Sequence, residues 1–177
     1  MINSIIGNPY KFSILIFDVK EWNTRGSLFF NGLLIFSING ELFPPKEVLN
    51  VTLSGETHWL IENFKTIAVN EEIFCMEKEK AFIEMHNARF PKNIDIDEDY
   101  QYDISPEEFA DRGYYVFAVS NGKQIRIMAS KLTYIMKHSR HNLNKIHINE
   151  IFITTSELNK MILKLEKIDE KIRIIDN

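Results

Sequence analysis

Two segments of the chain repeat one pattern, an apolar run that ends in Asn-Gly. The first is GLLIFSING at residues 32–40, and the second, one residue longer, is GYYVFAVSNG at 113–122. Asn-Gly between apolar runs is the strongest short-range signal for a β-hairpin, because both residues tolerate the positive φ of a tight turn. The repeats therefore predict two antiparallel hairpins, 33–38 with 41–43 and 114–120 with 123–130.

Each hairpin belongs to a run of strands that leads into a helix. Apolar side chains on both alternating sets of residues 11–19 predict a strand covered on both faces, and 48–53 and 145–154 predict further strands. Ser54 can cap the helix after the first run, and Thr154 with Glu157 forms a capping box after the second. This order predicts an α+β fold of two antiparallel β-sheet units, each followed by a helix, internally duplicated with pseudo-repeat halves of about 1–67 and 68–177.

The stretch between the halves is less clear. Helix formers at 76–81 favour a helix, whereas alternation at 81–85 and the duplication favour a strand that would match 11–19, and we expect the strand. Further on, Ser105 as an N-cap and Pro106 at the first helical position predict a short helix that leads into the second hairpin.

Composition limits the class of protein. A chain of 177 residues that is 45% hydrophobic can form one full core, so we expect a single domain over residues 1–177. The net charge of -4 argues against a general nucleic-acid binder. Cys75 is the only cysteine, and the N-terminus has no basic region followed by a long apolar run. We therefore expect a cytoplasmic protein with no membrane partner.

The main candidate for a binding surface is the acidic insert, which we define as residues 93–111. It contains no Lys or Arg, and its candidate partner-binding residues are Asp95, Asp97, Glu98, Asp99, Tyr100, Tyr102, Asp103, Glu107, Glu108 and Asp111. Exposed acidic groups accelerate and orient the encounter with a basic partner, although a charge run is often only solvated. A calcium loop starting at Asp95 is disfavoured, because Tyr100 and Pro106 replace its required glycine and final glutamate.

The other candidate sites have simpler structural interpretations. His138 and His141 could be two zinc ligands, but no third His or Cys is near in sequence, so we expect a solvated basic turn. Cys75 lies among apolar residues, as a buried thiol does. Trp22 and Trp59 are expected in the core. No phosphate loop or nucleophile motif is present, so no catalytic residue, cofactor or metal is predicted.

Several segments resemble the immunity 42 family of bacterial polymorphic and contact-dependent growth-inhibition toxin systems. They are GNPYKFSI at 7–14, WN at 22–23, NG at 31–32, INGELFP at 38–44, ISPEEF at 104–109 and GYYVF at 113–117. The resemblance implies a cytosolic, non-enzymatic inhibitor that binds a toxin's C-terminal effector domain one to one. We expect that domain to be a basic nuclease, of the EndoU RNase type, with the acidic insert imitating the phosphate backbone that the nuclease holds.

The order of strands and helices also resembles the Whirly arrangement, in which two four-stranded sheets each lead to a helix. Whirly proteins bind single-stranded DNA, so this likeness implies single-stranded nucleic-acid binding as the alternative function, although a fold alone does not carry function. The best basic cluster available for it is Lys131, Lys137, Arg140 and Lys145. A third possibility is an enzyme with a site assembled from distant residues, which a deep pocket of ionisable groups with shifted pKa values would support.

Overall fold

The structure, a computed structural model, describes residues 2–24, 29–93, 95–136 and 140–176. Its strands are β1 (Asn3–Gly7), β2 (Phe12–Asp18), β3 (Asn31–Ile38), β4 (Glu41–Phe43), β5 (Asn50–Thr52), β6 (Tyr114–Ser120), β7 (Gln124–Lys131), β8 (Thr133–Ile135), β9 (Arg140–Asn142) and β10 (Asn149–Thr154). Its helices are α1 (Leu53–Lys65), α2 (Glu71–Cys75), α3 (Lys78–Arg89), α4 (Glu107–Asp111) and α5 (Thr155–Asp176). Among the described residues, no helix has the length and apolar character needed to cross a membrane.

The first sheet is antiparallel and is built around β3. β1, β2 and β3 follow one another, and β4 and β5 pair with opposite ends of β3. The expected strand at 11–19 is β2, and the strand expected at 48–53 is the shorter β5. Even-numbered side chains such as Phe12, Ile14 and Phe36 are fully buried, since α1 and α5 cover that face. The strand β1 was not anticipated, because its five residues carry little apolar alternation.

The second sheet has the order β10-β7-β6 and is covered on both faces. Every residue of β6 is buried. Alternate β6 side chains enter two core clusters: Tyr114, Val116 and Ala118 pack with the first sheet, α1 and α5, whereas Tyr115, Phe117 and Val119 pack with α3. The two clusters therefore meet across a single strand. The hairpin β8–β9, which was not predicted, forms a separate two-stranded sheet.

Both Asn-Gly hairpins are confirmed, with different turns. Asn39 and Gly40 have φ of 55° and 82°, as a tight turn between β3 and β4 requires. In the second turn only Gly122 has a positive φ, and the Asn121 side chain closes the turn by accepting hydrogen bonds from the backbone N–H groups of Lys123 and Gln124 at 3.1 and 2.8 Å. The extra residue of the second repeat thus changes the turn and keeps the strand pairing.

The two long helices begin in different ways. At α5 the capping box is confirmed: Thr154 Oγ1 accepts from the backbone N–H of Glu157 at 3.1 Å, and Glu157 Oε2 accepts from that of Thr154 at 2.7 Å. At α1 the expected Ser54 cap is wrong. The helix already begins at Leu53, and Ser54 Oγ accepts from the backbone N–H of Phe30 at 3.4 Å.

The strand expected within 70–89 is wrong, since this stretch forms α2 and α3. Asn70 Oδ1 caps α2 by accepting from the backbone N–H of Ile73 at 3.0 Å, and the helix formers of 76–81 continue into α3. Ala81, Phe82 and Met85 bury one side of α3 in the second core cluster. The two halves therefore differ, with a five-stranded sheet in the first and a three-stranded sheet in the second.

Candidate functional site

The acidic insert is divided into an exposed outer loop and a buried return. In the outer loop, defined as residues 95–101, Asp95, Asp97, Glu98 and Tyr100 are exposed and Asp99 is half-buried. Tyr102 and Asp103, expected on the exposed surface, are instead buried. The expectation of a continuously exposed acidic run is thus wrong for the return, residues 102–106.

The return is buried because it completes the edge of β6. The backbone N–H of Ala118 donates to the carbonyl of Tyr102 at 2.8 Å, and that of Ile104 donates to the carbonyl of Val116 at 2.9 Å. Hydrogen bonds of this kind cover an edge that would otherwise be open. Ser105 Oγ accepts from the backbone N–H of Val116 at 2.8 Å, so Ser105 belongs to this edge and does not cap α4 as expected.

Asp103 is a buried carboxylate with three donors. Its Oδ1 accepts from the Ser105 backbone N–H at 2.9 Å and from Ser105 Oγ at 2.5 Å, and its Oδ2 accepts from Arg89 Nε at 3.3 Å. Burial raises the pKa of Asp103, while Ser105 and Arg89 oppose that shift. This arrangement makes Asp103 a structural residue of the return.

Arg89, at the end of α3, holds the outer loop. Its guanidinium contacts Glu98 and lies 3.7 Å from the centre of the Tyr100 ring, while its Nε reaches Asp103. The Tyr100 hydroxyl donates to Glu98 at 2.7 Å, and this bond, with the Arg89 charge, lowers the pKa of Glu98. The backbone N–H of Asp99 donates to the carbonyl of Ala88 at 3.0 Å. One cation outside the insert therefore fixes the acidic loop in place.

The acidic residues of α4 form a second group beyond the return. Glu107 and Asp111 are exposed and Glu108 is half-buried. The backbone N–H of Glu107 donates to Oε1 of the buried Glu56 at 2.9 Å, which attaches α4 to α1. Burial raises the pKa of Glu56 to about 7, against the lowering effect of these backbone donors.

A groove of about 1540 Å³ brings the acidic insert together with the β8–β9 hairpin. Its walls come from residues 90–93, 96–98, 110–113, 131–135 and 140–144. Its acidic side chains are Asp97, Glu98 and Asp111, and its basic side chains are Lys92, Arg112, Lys131 and Arg140. The groove is therefore of mixed charge, and its acidic groups lie toward the insert.

Aromatic and histidine side chains form the floor of the groove. His86 Nε2 lies 3.0 Å from His141 Nδ1, and His141 Nε2 lies 3.2 Å from the Tyr115 hydroxyl. The Phe90 ring packs on His86, His141 and Tyr115 at centroid distances of 4.8–5.3 Å. Burial, and then the neighbouring His141, lower the pKa of His86 to about 4. Burial, and then Arg89, also lower the pKa of His141, which favours the neutral form of both rings at pH 7.

His141 corrects the expectation of a solvated basic turn. It is half-buried in this floor because it pairs with His86, which lies 55 positions earlier. His138 lies outside the described residues. Within the described part of the chain no group of three His, Cys, Asp or Glu side chains could hold a metal ion.

Exposed apolar side chains stand at the margin of the groove. Ile96, in the outer loop, is 58% exposed, and Tyr134, in β8, is 55% exposed. Large side chains of this kind become anchors when a partner covers them. Neither residue stood out in the sequence, because only the fold brings them to the same groove.

Two further expectations about single residues are wrong. Cys75 is exposed, because in the short helix α2 the neighbouring Phe74 turns toward the core. Trp22 is also exposed, since it lies in a 3-10 turn after β2. Trp59 does pack against the first core cluster.

Comparison with known proteins gives a consistent picture. A family model described as immunity protein 42 matches residues 1–168. The crystal structure of CdiI from Burkholderia dolosa AUO158 has a similar fold, with a TM-score of 0.72 and 23% identity, over 93% of this chain and 99% of that chain. No curated protein matches the chain significantly.

Proposed function

The chain belongs to the immunity protein 42 family, and on that premise we propose that it binds a cognate bacterial toxin domain in the cytoplasm and neutralises it. Each copy binds one toxin domain and has no enzymatic activity of its own. The toxin domain is basic and is a nuclease, of the EndoU RNase type. Inhibition results from occupation of its active site or from blocked access of its substrate.

The observation that carries this proposal is the preorganised acidic outer loop. Asp95, Asp97 and Glu98 are exposed, and Arg89 holds the loop from behind. Since the loop is already ordered, little conformational entropy is lost when a partner binds it. A row of carboxylates held in this way resembles the phosphates that a nuclease binds, so it competes for the same basic surface.

The groove adds contacts of a different kind. Asp97 and Asp111 offer acidic contacts, Lys92 and Arg112 offer basic ones, and Ile96 with Tyr134 supplies apolar area. Charges of both signs fix the orientation of a partner, whereas one sign alone only attracts it. We therefore place the toxin interface across the outer loop and the groove. Tyr102 and Asp103 support this surface from within and do not touch the toxin.

The proposal is tested with the C-terminal domain of a toxin gene that we expect to lie immediately upstream. Replacing Asp95, Asp97 and Asp99 with Asn should slow association about tenfold and reduce its dependence on salt, because long-range attraction is lost. Surface plasmon resonance at several salt concentrations measures both quantities. The matched control replaces three exposed acids elsewhere, Glu41, Glu79 and Glu170, with Gln. Equal association rates for the two variants would move the interface away from the outer loop.

Single-stranded nucleic-acid binding is the second candidate. Lys92, Arg112 and Arg140 lie in one groove with the exposed ring of Tyr134, the combination that such binding uses. Against it, Lys131 is paired with Glu47 at 3.2 Å, and three carboxylates line the same groove. A gel-shift assay with single-stranded DNA and RNA at physiological salt separates the candidates. A shift at micromolar protein would reverse our ranking.

The groove is a place where an enzyme site could be assembled, since it holds two histidines with lowered pKa values. The hydroxyl group of Tyr115 lies beside His141. Burial raises the pKa of this hydroxyl group, so Tyr115 is a poor nucleophile. The pair His86–His141 packs against the ring of Phe90, as residues of a structural cluster do. The substitution His141→Gln distinguishes a structural role of the histidine pair from a catalytic one. If the role is structural, the variant should still neutralise the toxin.

A further inference from the structure

We infer that helix α5 docks this protein on the surface of an anionic phospholipid membrane. The docking surface is a set of four lysines that we call the lysine row: Lys160, Lys164, Lys167 and Lys171. Their spacing of four, three and four residues places them within an arc of about 60° along about 16 Å of helix. All four side chains are exposed. The row is therefore a straight, positively charged ridge on a chain with a net charge of -4.

The lysine row has no ion pairs, although other charges of α5 do. Glu157 pairs with Lys11 and Glu166 pairs with Lys65, both at 3.0 Å. The exposed Glu170 lies beside the last two lysines, but within the described part of the chain no carboxylate forms an ion pair with the row. Like charges four residues apart destabilise a helix, so the row opposes the folding of α5. A feature that opposes folding in this way is typical of a functional surface.

Exposed apolar and aromatic side chains beside the row favour a membrane as the partner. Leu163 is next to the row on the helix surface, since it lies three residues after Lys160 and four before Lys167, and it is 59% exposed. Tyr10, which precedes Lys11, is 84% exposed. Lysine combined with leucine and tyrosine is suited to a membrane interface. A phosphate backbone gains nothing from leucine, and protein interfaces are depleted in lysine.

A hollow of about 200 Å³ at the N-terminal end of the row suits one phospholipid head group. Three lysines and three buried apolar side chains line it: Lys11, Lys160, Lys164, Phe12, Ile153 and Met161. Glu157 also lines the hollow, but its charge is neutralised by Lys11. Lysine ammonium groups bind a phosphate as point charges, and the apolar side chains can contact the carbon atoms next to it. The hollow therefore adds a specific contact to the general attraction of the row.

Docking through the lysine row leaves the proposed toxin interface open. α5 packs with the first core cluster, whereas the outer loop is attached to α3, which packs on the other face of β6. No residue of the row lines the groove. An anionic surface attracts the row and repels the outer loop, so the loop should point away from the membrane. The sequence-based expectation of no membrane partner came from the lack of a long apolar run, which a protein docked on the surface does not need.

Co-sedimentation with lipid vesicles tests the docking. At about 0.1 M salt, wild-type protein should bind vesicles that contain about 40% phosphatidylglycerol and should not bind vesicles of phosphatidylcholine alone. Replacing the four lysines of the row with Gln should weaken binding at least about 100-fold, since each lysine near an anionic surface strengthens binding about fivefold. Glutamine keeps the helix propensity and removes the like-charge pairs, so the variant should fold.

The matched control replaces four exposed lysines elsewhere with Gln: Lys20, Lys46, Lys80 and Lys145. Both variants lose the same four positive charges in total, so a difference between them comes from the row. The control should bind anionic vesicles within about threefold of the wild type, because its lysines lie away from α5. Raising salt from about 0.1 M to 0.5 M should weaken wild-type binding at least tenfold.

A wild type that binds neither kind of vesicle, or binds both equally, overturns the inference, as does equal weakening in the two variants. Two other partners of the row are distinguished by further measurements. If the wild type binds single-stranded DNA of about 20 nucleotides more tightly than anionic vesicles, and only the row variant loses this binding, the row belongs to nucleic acid. If the toxin domain associates more slowly with the row variant than with the control, the row belongs to the toxin interface. Either result would overturn membrane docking.

Discussion

Arg89 ties the acidic insert to the rest of the protein. Replacing it with Met keeps the aliphatic stem, but it leaves the buried Asp103 with Ser105 alone and releases Glu98 and Tyr100. Losing one partner of a buried pair should lower the free energy of unfolding by about 3 kcal/mol. Urea unfolding measures this loss, and hydrogen exchange of the outer loop should become faster. Lys92→Met, at an exposed site nearby, is the control and should change neither quantity.

Glu56 makes stability depend on pH in an identifiable way. Its pKa is about 7 in the folded protein, above the ordinary 4.5, so folding favours the protonated form. Below pH 4.5 Glu56 is protonated in both the folded and the unfolded state, so its burial does not lower the free energy of unfolding. As pH rises from 4.5 to 7, stability falls, and the full cost is present above pH 7. Glu56→Gln retains an acceptor for the backbone N–H of Glu107 and removes this cost.

The Gln variant should therefore be more stable than wild type by about 3 kcal/mol at pH 8 and about equally stable at pH 4.5. Urea unfolding at the two pH values measures the difference. Glu170→Gln, at an exposed position on α5, should show no such pH-dependent gain. A gain that is the same at both pH values would mean that ionisation of Glu56 is not its source.

At the scale of elements, Arg126 fastens the short helix α2 to β7. Its side chain is buried, and Nη1 donates to the carbonyls of Phe74 and Met76 at 2.8 and 2.6 Å, while Nη2 lies 2.6 Å from Glu150. Arg126→Met would leave two buried carbonyls and one carboxylate without this donor. We expect a loss of about 3 kcal/mol in the free energy of unfolding, measured in urea.

The control for Arg126 is Lys131→Met. Lys131 Nζ lies 3.2 Å from Glu47, but both side chains are more than a third exposed. Exposed pairs of this kind contribute less than about 1 kcal/mol. If both variants lost the same amount of stability, the buried carbonyl contacts of Arg126 would not be what holds α2.

Elements with local signals could be predicted from the sequence. Asn39-Gly40 and the Thr154–Glu157 capping box act within a few residues, so both hairpins and the start of α5 were correct. The strand expected within 70–89 is wrong because the Asn70 cap and the helix formers that follow it outweigh the resemblance between the two halves. Short elements such as β1 and β8–β9 pair with the next strand along the chain, but their own residues carry no strong pattern.

The candidate site is harder still to predict from the sequence, because more of it depends on contacts between residues that are far apart in the chain. The exposure of Asp95 and Asp97 followed from their charge. The burial of Asp103 could not be predicted, because it depends on Arg89, 14 positions earlier, and on the edge of β6. The pair His86–His141 is separated by 55 positions. Contacts of this range are properties of the fold, and no local pattern marks them.

For the whole molecule, the sharing of β6 between both core clusters suggests one cooperative unit. We propose that residues 1–177 form a single domain and unfold in one transition. Trp22 and Trp59, the only tryptophans, both lie in the first half, so their fluorescence reports on that half. Far-ultraviolet circular dichroism reports on all helices and strands. The two urea curves should coincide within error, whereas separate midpoints would mean that the halves unfold independently.

The division of the insert into an outer loop and a buried return has a consequence for how such a protein can change. The side chains of Asp95 and Asp97 are exposed, while the chain beyond them is fixed by β6 and by Arg89. Substitutions in the loop are therefore nearly free of a folding penalty, and substitutions in the return are not. New partner specificity can therefore arise through substitution of a few exposed residues in the outer loop, while the return and Arg89, which hold the loop in place, stay the same.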